Sequence, residues 1–217
     1  MSRHTTTAVR RLGMIAAAAV FALNLAYVVV LTLGFLSLST PEEPIGDPWF
    51  RVLELLILAL MPFMLALTVA IHAAAPAGAK ALSLLSVIFI SLTTALTMSV
   101  HFSILTLSLT PAFAAEPWAV RLLSFQWPSL AYAIDILAWD LFFALSVLCA
   151  APAFGGGGDA RLIRGLLILS GVLALAGLSG VVAGDMGLRN IGILGYAGVF
   201  PVAAALLVRW FRRGAAG

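Results

Sequence analysis

Charge, cysteine and long polar stretches are scarce in this chain, and each shortage excludes something. Charged residues make up only 10% of the 217 positions, hydrophobic ones 63%, and the mean hydropathy is +1.13. A soluble domain of this size has too little interior to hide that much apolar surface, so the composition belongs to the polytopic membrane class. The single cysteine, Cys149, rules out an intrachain disulfide and any Cys-pair metal or redox motif within one chain. Lying in an apolar run, it reads as a buried core thiol. No zinc-protease helix motif, nucleotide-binding loop or serine nucleophile elbow occurs. Of the three histidines, His72 and His101 are expected at opposite ends of their helices. That placement argues against a bis-histidine haem. No cofactor and no metal site is expected, and no internal repeat of 20–50 residues is found.

What is present is a series of long apolar runs. Lipid offers the backbone no hydrogen-bond partners, so only helices or a closed barrel can span it. Unbroken runs of about 20 residues or more point to helices rather than to alternating strands. The reading is an all-α, polytopic membrane protein of one domain, residues 1–217, with six transmembrane helices. Their expected limits are 12–38, 49–74, 80–110, 128–152, 162–184 and 189–210. The first run is too long for a signal peptide and ends in SLSTPEEP, so it is expected to be retained. Asp47-Pro48 reads as the cap and first position of the second helix. Arg51 and Glu54 are placed to pair at its mouth. His72, at the far end, reads as solvated. Pro62 and Pro201 are expected to break helix regularity.

Residues 112–127 carry Trp118, Leu122, Leu123 and Phe125 against Arg121 and Gln126, which suggests a short helix lying in the interface between the third and fourth spans. Glycines recur in the last two spans, at Gly171, Gly177, Gly180 and Gly184 and then at Gly192, Gly195 and Gly198. Small residues let helices approach closely, so these two spans are expected to pack as a hairpin. Gly180 and Gly184 also offer a face for a second copy or a membrane partner.

Six helices put both termini on one side. That side holds Arg3, Arg10, Arg11, Lys80, Arg161, Arg164, Arg209, Arg212 and Arg213, whereas the other has Arg51, Arg121 and Arg189 with Glu42, Glu43, Asp47, Glu116 and Asp185. The bias toward arginine and lysine places both termini in the cytoplasm. The basic residues sit at helix ends, so they set topology and do not suggest nucleic acid. Trp49, Trp118 and Trp127 at one end and Trp210 at the other fit an aromatic belt. Asp185 and Arg189, four apart, read as an exposed ion pair. High Ala and Arg with a single Lys point to a bacterial inner membrane.

The anomaly is the fourth apolar run, 126–154, which carries Asp135 and Asp140. An acid in a membrane span is by default a functional-site candidate. Helix rise puts Asp135 roughly 10 Å and Asp140 roughly 18 Å below the interface. On an α-helix five residues separate directions by about 140°, so the two are expected to face apart and not to share a proton. Asn24, Thr93, Thr94, Thr97 and Tyr132 lie at compatible depths. His101 lies roughly 31 Å along its helix and can meet Asp135 only if tilt brings it deeper. These eight residues, Asn24, Thr93, Thr94, Thr97, His101, Tyr132, Asp135 and Asp140, form the candidate site. Either the acids only lock helix packing, or they serve function. Asp140 is the costlier placement and Asp135 the better connected.

The leading functional reading is a small inner-membrane transporter or binding protein with an outward-facing polar cavity and a proton- or cation-linked Asp. The alternatives are a non-catalytic membrane scaffold or assembly subunit and, third, a lipid-acting enzyme. No recognisable catalytic set is present, which weighs against the enzyme.

Overall fold

A computed structural model describes residues 6–40, 43–108 and 110–214. Arg3, His4, Glu42, Leu109 and the 215–217 tail lie outside the described residues. The chain is an all-α, multi-pass membrane protein, with six helices long and apolar enough to cross a bilayer.

The first span, α1 (Thr7–Leu36), starts five residues before the apolar run, because Thr6 caps it by accepting from the Val9 amide (3.4 Å). The second, α2 (Trp49–Ala74), has the expected limits, but Pro48 rather than Asp47 stands at the cap and there is no side-chain cap bond. Asp47 is instead engaged by Arg51 Nε at 2.8 Å, which corrects the expected pairing of Arg51 with Glu54. A 3₁₀ turn, Ala77–Ala79, leads into α3 (Lys80–Leu107). His72 is half-buried, not simply solvated: its Nδ1 lies 2.9 Å from Ser83 Oγ.

The connection after α3 holds two single turns, α4 (Pro111–Ala114) and α5 (Ala119–Leu122), in place of one continuous interfacial helix. Trp118 packs edge-on against Phe113 (5.3 Å), and Pro117 falls in the break between the turns. The fourth span runs Leu130–Ala153. It comprises α6 (Leu130–Ile136), a π-helical segment (Leu137–Phe143), α7 (Ala144–Ala150) and a 3₁₀ turn. Ser129 caps it through the Tyr132 amide at 3.1 Å.

The fifth span, α8 (Asp159–Ala183), ends on Gly184, whose φ of +69° is the left-handed conformation that suits glycine as a helix stop. The sixth runs Met186–Arg212 as α9 (Met186–Ile193), a second π segment (Leu194–Val199) and α10 (Phe200–Arg212). Pro201 sits in the first turn of α10, directly after that π segment.

Each span packs on its neighbour in chain order, and α10 packs back on α1, so the six close into a ring. The interior is filled by Met61, Met64, Ile90, Phe143, Leu167 and Leu207, among others. Large apolar side chains such as Ile15, Leu36, Phe102 and Val182 point outward. An apolar exterior of this extent is stable in a lipid bilayer and a liability in water.

Close approaches fall where glycine leaves room. A Cβ on Gly13 would stand 2.5 Å from the Phe211 ring, which joins the first span to the last. One on Gly177 would meet the Arg189 carbonyl (2.9 Å) and Gly192 (3.0 Å), so the fifth and sixth spans do form a tight hairpin. Gly180 is closed off by the backbones of Asp185 and Arg189, whereas Gly184 faces open space. Gly180 is therefore used within the chain. Trp210, expected in an interfacial belt, is buried between Phe154 and Phe211. Cys149 is only half-buried, because its turn of α7 lies at the edge of the core.

A buried ionic cluster as candidate functional site

Four spans send ionisable side chains into one place, in the half of the bundle remote from the termini. Glu54 enters from the start of α2. Its neighbours at helical spacing, Leu53, Ile57 and Met61, mark the inward face. His101 comes from the last third of α3, Asp135 and Asp140 from the fourth span, and Arg189 from the first turn of α9. All five side chains are buried.

The contacts form a chain across the bundle. His101 Nδ1 stands 2.9 Å from Glu54 Oε2, and its Nε2 stands 3.5 Å from Asp135 Oδ1. Asp135 Oδ2 is 4.0 Å from Arg189 Nη2, and Arg189 Nε is 3.2 Å from Asp140 Oδ2. Aromatic rings surround Arg189 and His101. The Arg189 guanidinium lies 5.1 Å from the Tyr132 ring and 6.0 Å from that of Tyr196, a cation–π arrangement. Phe125 covers His101 at 4.9 Å and meets Tyr132 edge-on at 6.2 Å.

The expectation that the two aspartates face apart is corrected here. It assumed a regular α-helix, but Leu137–Phe143 is π-helical. A π-helix bonds i to i+5, so its wider turn brings residues five apart toward one side. Both carboxylates consequently address Arg189. Asp140 Oδ1 also lies against Gly192, where a Cβ would come within 2.5 Å of it. The glycine on the sixth span is what lets that carboxylate in.

Arg189 is the second correction. Its partner is not Asp185, whose Oδ1 instead caps α9 by accepting from the amides of Gly187 (2.8 Å) and Leu188 (3.2 Å). Arg189 faces inward with Gly192 and Tyr196 on the side that meets the fourth span. Glu54 is the third, since it belongs to this cluster and not to the surface.

The other candidates divide. Tyr132 joins the cluster through its ring. Asn24 is buried but donates to its own helix, at Val20 O (2.9 Å). Thr93 donates to Phe89 O (3.1 Å) and to Ala138 O (3.2 Å), a carbonyl inside the π segment. Ser170 does the same for the second π segment, donating to Gly195 O at 2.9 Å. The Thr94 and Thr97 hydroxyls are buried with no partner among the described residues.

The expected outward-facing cavity is closed at the acids. Asp140 is 0% and Asp135 9% exposed, because Arg189, Tyr132 and Phe125 fill the space beside them. The hydrogen bonding is nevertheless incomplete. Among the described residues no donor is aligned with either oxygen of Asp140, although Arg189 lies within ion-pair distance. Three carboxylates face one arginine and one histidine, so even with His101 protonated one negative charge stays unbalanced. Buried charges are costly unless balanced, and this cluster is one positive charge short. Among the described residues no three His, Cys, Asp or Glu side chains converge as a metal-binding set. Comparison with protein-family models, with characterised proteins and with solved structures found no match.

Proposed function

We propose that this multi-pass membrane protein is a small proton- or cation-linked transporter of a bacterial inner membrane, and that the Glu54–His101–Asp135–Arg189–Asp140 chain is its coupling site. The observation that carries the proposal is the charge imbalance of a sealed cluster whose innermost carboxylate lacks aligned donors. Acids in membrane spans mark ion and proton pathways. Uptake of one proton by the Asp135/Asp140 pair neutralises the cluster and loosens the hold of Arg189, which joins the fourth and sixth spans. Both spans carry π segments beside these residues, and such segments recur at functional sites. The sealed arrangement is the occluded state of the cycle. Arginine and lysine collected at the end bearing the termini support a cytoplasmic position for that end.

The test is proton movement into liposomes holding the purified protein and a pH-sensitive dye, driven by an imposed potential. Wild-type protein is expected to conduct above empty liposomes, with Asp140→Asn and Asp135→Asn reduced at least tenfold. Equal flux in wild type, both variants and empty liposomes would sink proton coupling.

A static membrane scaffold is the second reading, favoured by the complete burial of Asp140. On that reading the cluster fixes which helices are neighbours, and the aspartate variants lose stability without any change in flux.

A further inference from the structure

At the opposite end of the bundle, the start of α1 and the end of α10 enclose a cleft of about 210 Å³, lined by Thr7, Arg10, Arg11, Met14, Phe211 and Arg212. Its walls are held together. Arg10 donates from Nε to Phe211 O (3.2 Å) and from Nη2 to Arg212 O (2.7 Å), and the absent side chain of Gly13 admits the Phe211 ring. The neighbouring arginines are already committed, because Asp159 takes Arg209 and, at 3.0 Å, Arg213. No carboxylate among the described residues engages Arg11 or Arg212. Arg11 and Arg212 thus line the cleft with no acid engaging them, beside Arg10, whose Nε and Nη2 already serve backbone carbonyls, and Met14 lines it as well. Asp159 is the sole acid described at this end of the bundle.

We propose that this cleft binds a phosphate group, carried by the headgroup of an anionic phospholipid. Guanidinium groups pair with phosphate through two parallel N–H donors, a geometry that lysine cannot reproduce. Basic pockets between membrane helices hold anionic lipid headgroups in this way. The part-exposed Met14 suits the glycerol and upper acyl carbons that a free phosphate lacks. The lipid bridges the first and last spans, closing the ring at its seam.

The purified chain in neutral detergent is titrated with phosphatidylglycerol, phosphatidylcholine or inorganic phosphate, and binding is read by native mass spectrometry and thermal shift. Phosphatidylglycerol is expected to bind and stabilise, and Arg11→Gln/Arg212→Gln to weaken it roughly 30-fold, about fivefold per arginine. Arg161→Gln/Arg164→Gln removes the same charge from the same end but outside the cleft, and is expected to leave binding within twofold. Stabilisation by phosphatidylglycerol alone assigns the site to a lipid, and stabilisation by inorganic phosphate as well assigns it to the phosphate itself. No response to either ligand overturns the site. An equal loss in both double variants overturns it too, since the effect is then general charge attraction. Arg11 and Arg212 are exposed, so loss of folding does not confound the result.

Discussion

Arg189 Nε and Asp140 Oδ2 stand 3.2 Å apart in a bundle interior that excludes water, joining the sixth span to the fourth. Breaking such a pair from one side leaves an unbalanced buried charge, which typically costs about 3–5 kcal/mol. Arg189→Met is expected to destabilise by that amount, because three carboxylates then face His101 alone. Asp140→Leu in the same chain should recover part of the loss. Unfolding titrations in mixed micelles across the four-protein cycle measure the coupling; strictly additive losses would mean that the pair does not interact.

The glycine beside Asp140 gives a sharper test, because only space is changed. A methyl group at Gly192 would stand 2.5 Å from Asp140 Oδ1 and 3.1 Å from Cγ. Gly192→Ala must push the carboxylate aside or part the hairpin, an overpacking effect of about 1–3 kcal/mol. Gly198, in the same span, faces open space. Gly198→Ala is expected to be neutral or slightly stabilising, since alanine favours the helical backbone. Thermal unfolding of the two proteins side by side decides; equal effects would show that the contact with Asp140 is not what matters.

Thr93 and Ser170 do parallel work on the two π segments, each donating to a carbonyl within one. Interhelical hydrogen bonds of this kind contribute about 0.6 kcal/mol on average and up to about 1.7 kcal/mol in membranes. Thr93→Val keeps the shape and removes the donor, so a loss within that range is expected, with Ser170→Ala similar. Thr32 bonds only within its own helix, to Val28 O, on the outside of the bundle. Thr32→Val should therefore have no measurable effect, and a loss as large as that of Thr93→Val would refute the distinction.

The helices were legible in the sequence because the length and hydropathy of an apolar run are fixed by bilayer thickness. Each expected span overlaps an observed helix, with ends displaced where a cap intervened, as at Thr6 and Ser129. The site was half legible. Asp135 and Asp140 announced themselves by their cost, whereas their shared direction depends on a π segment that leaves no mark in residue spacing. Arg189 and Glu54 were hidden by convenient neighbours: Asp185 and Arg51 each offered a surface partner at helical spacing. The arginine's alignment with Gly192 and Tyr196, and the glutamate's with Ile57 and Met61, carried the better signal. Both patterns mark faces that pack against other spans.

Moving Arg189 from the surface to the interior also sharpens the topology argument. Among the described residues, the end remote from the termini is left with Arg51 and Arg121 against Glu43, Asp47, Glu116 and Asp185. The other end carries Arg10, Arg11, Lys80, Arg161, Arg164, Arg209, Arg212 and Arg213 against Asp159. Positive residues are retained on the cytoplasmic side, so both termini are expected there. Gly46 and Gly157 lie exposed in loops at opposite ends, and neither has a close neighbour that a new side chain would meet. In a Cys149→Ser background, Gly46→Cys should react with a membrane-impermeant thiol reagent in intact cells. Gly157→Cys should react only after the membrane is opened. The reverse pattern would invert the orientation, and labelling of both sites in intact cells would break the six-span topology itself.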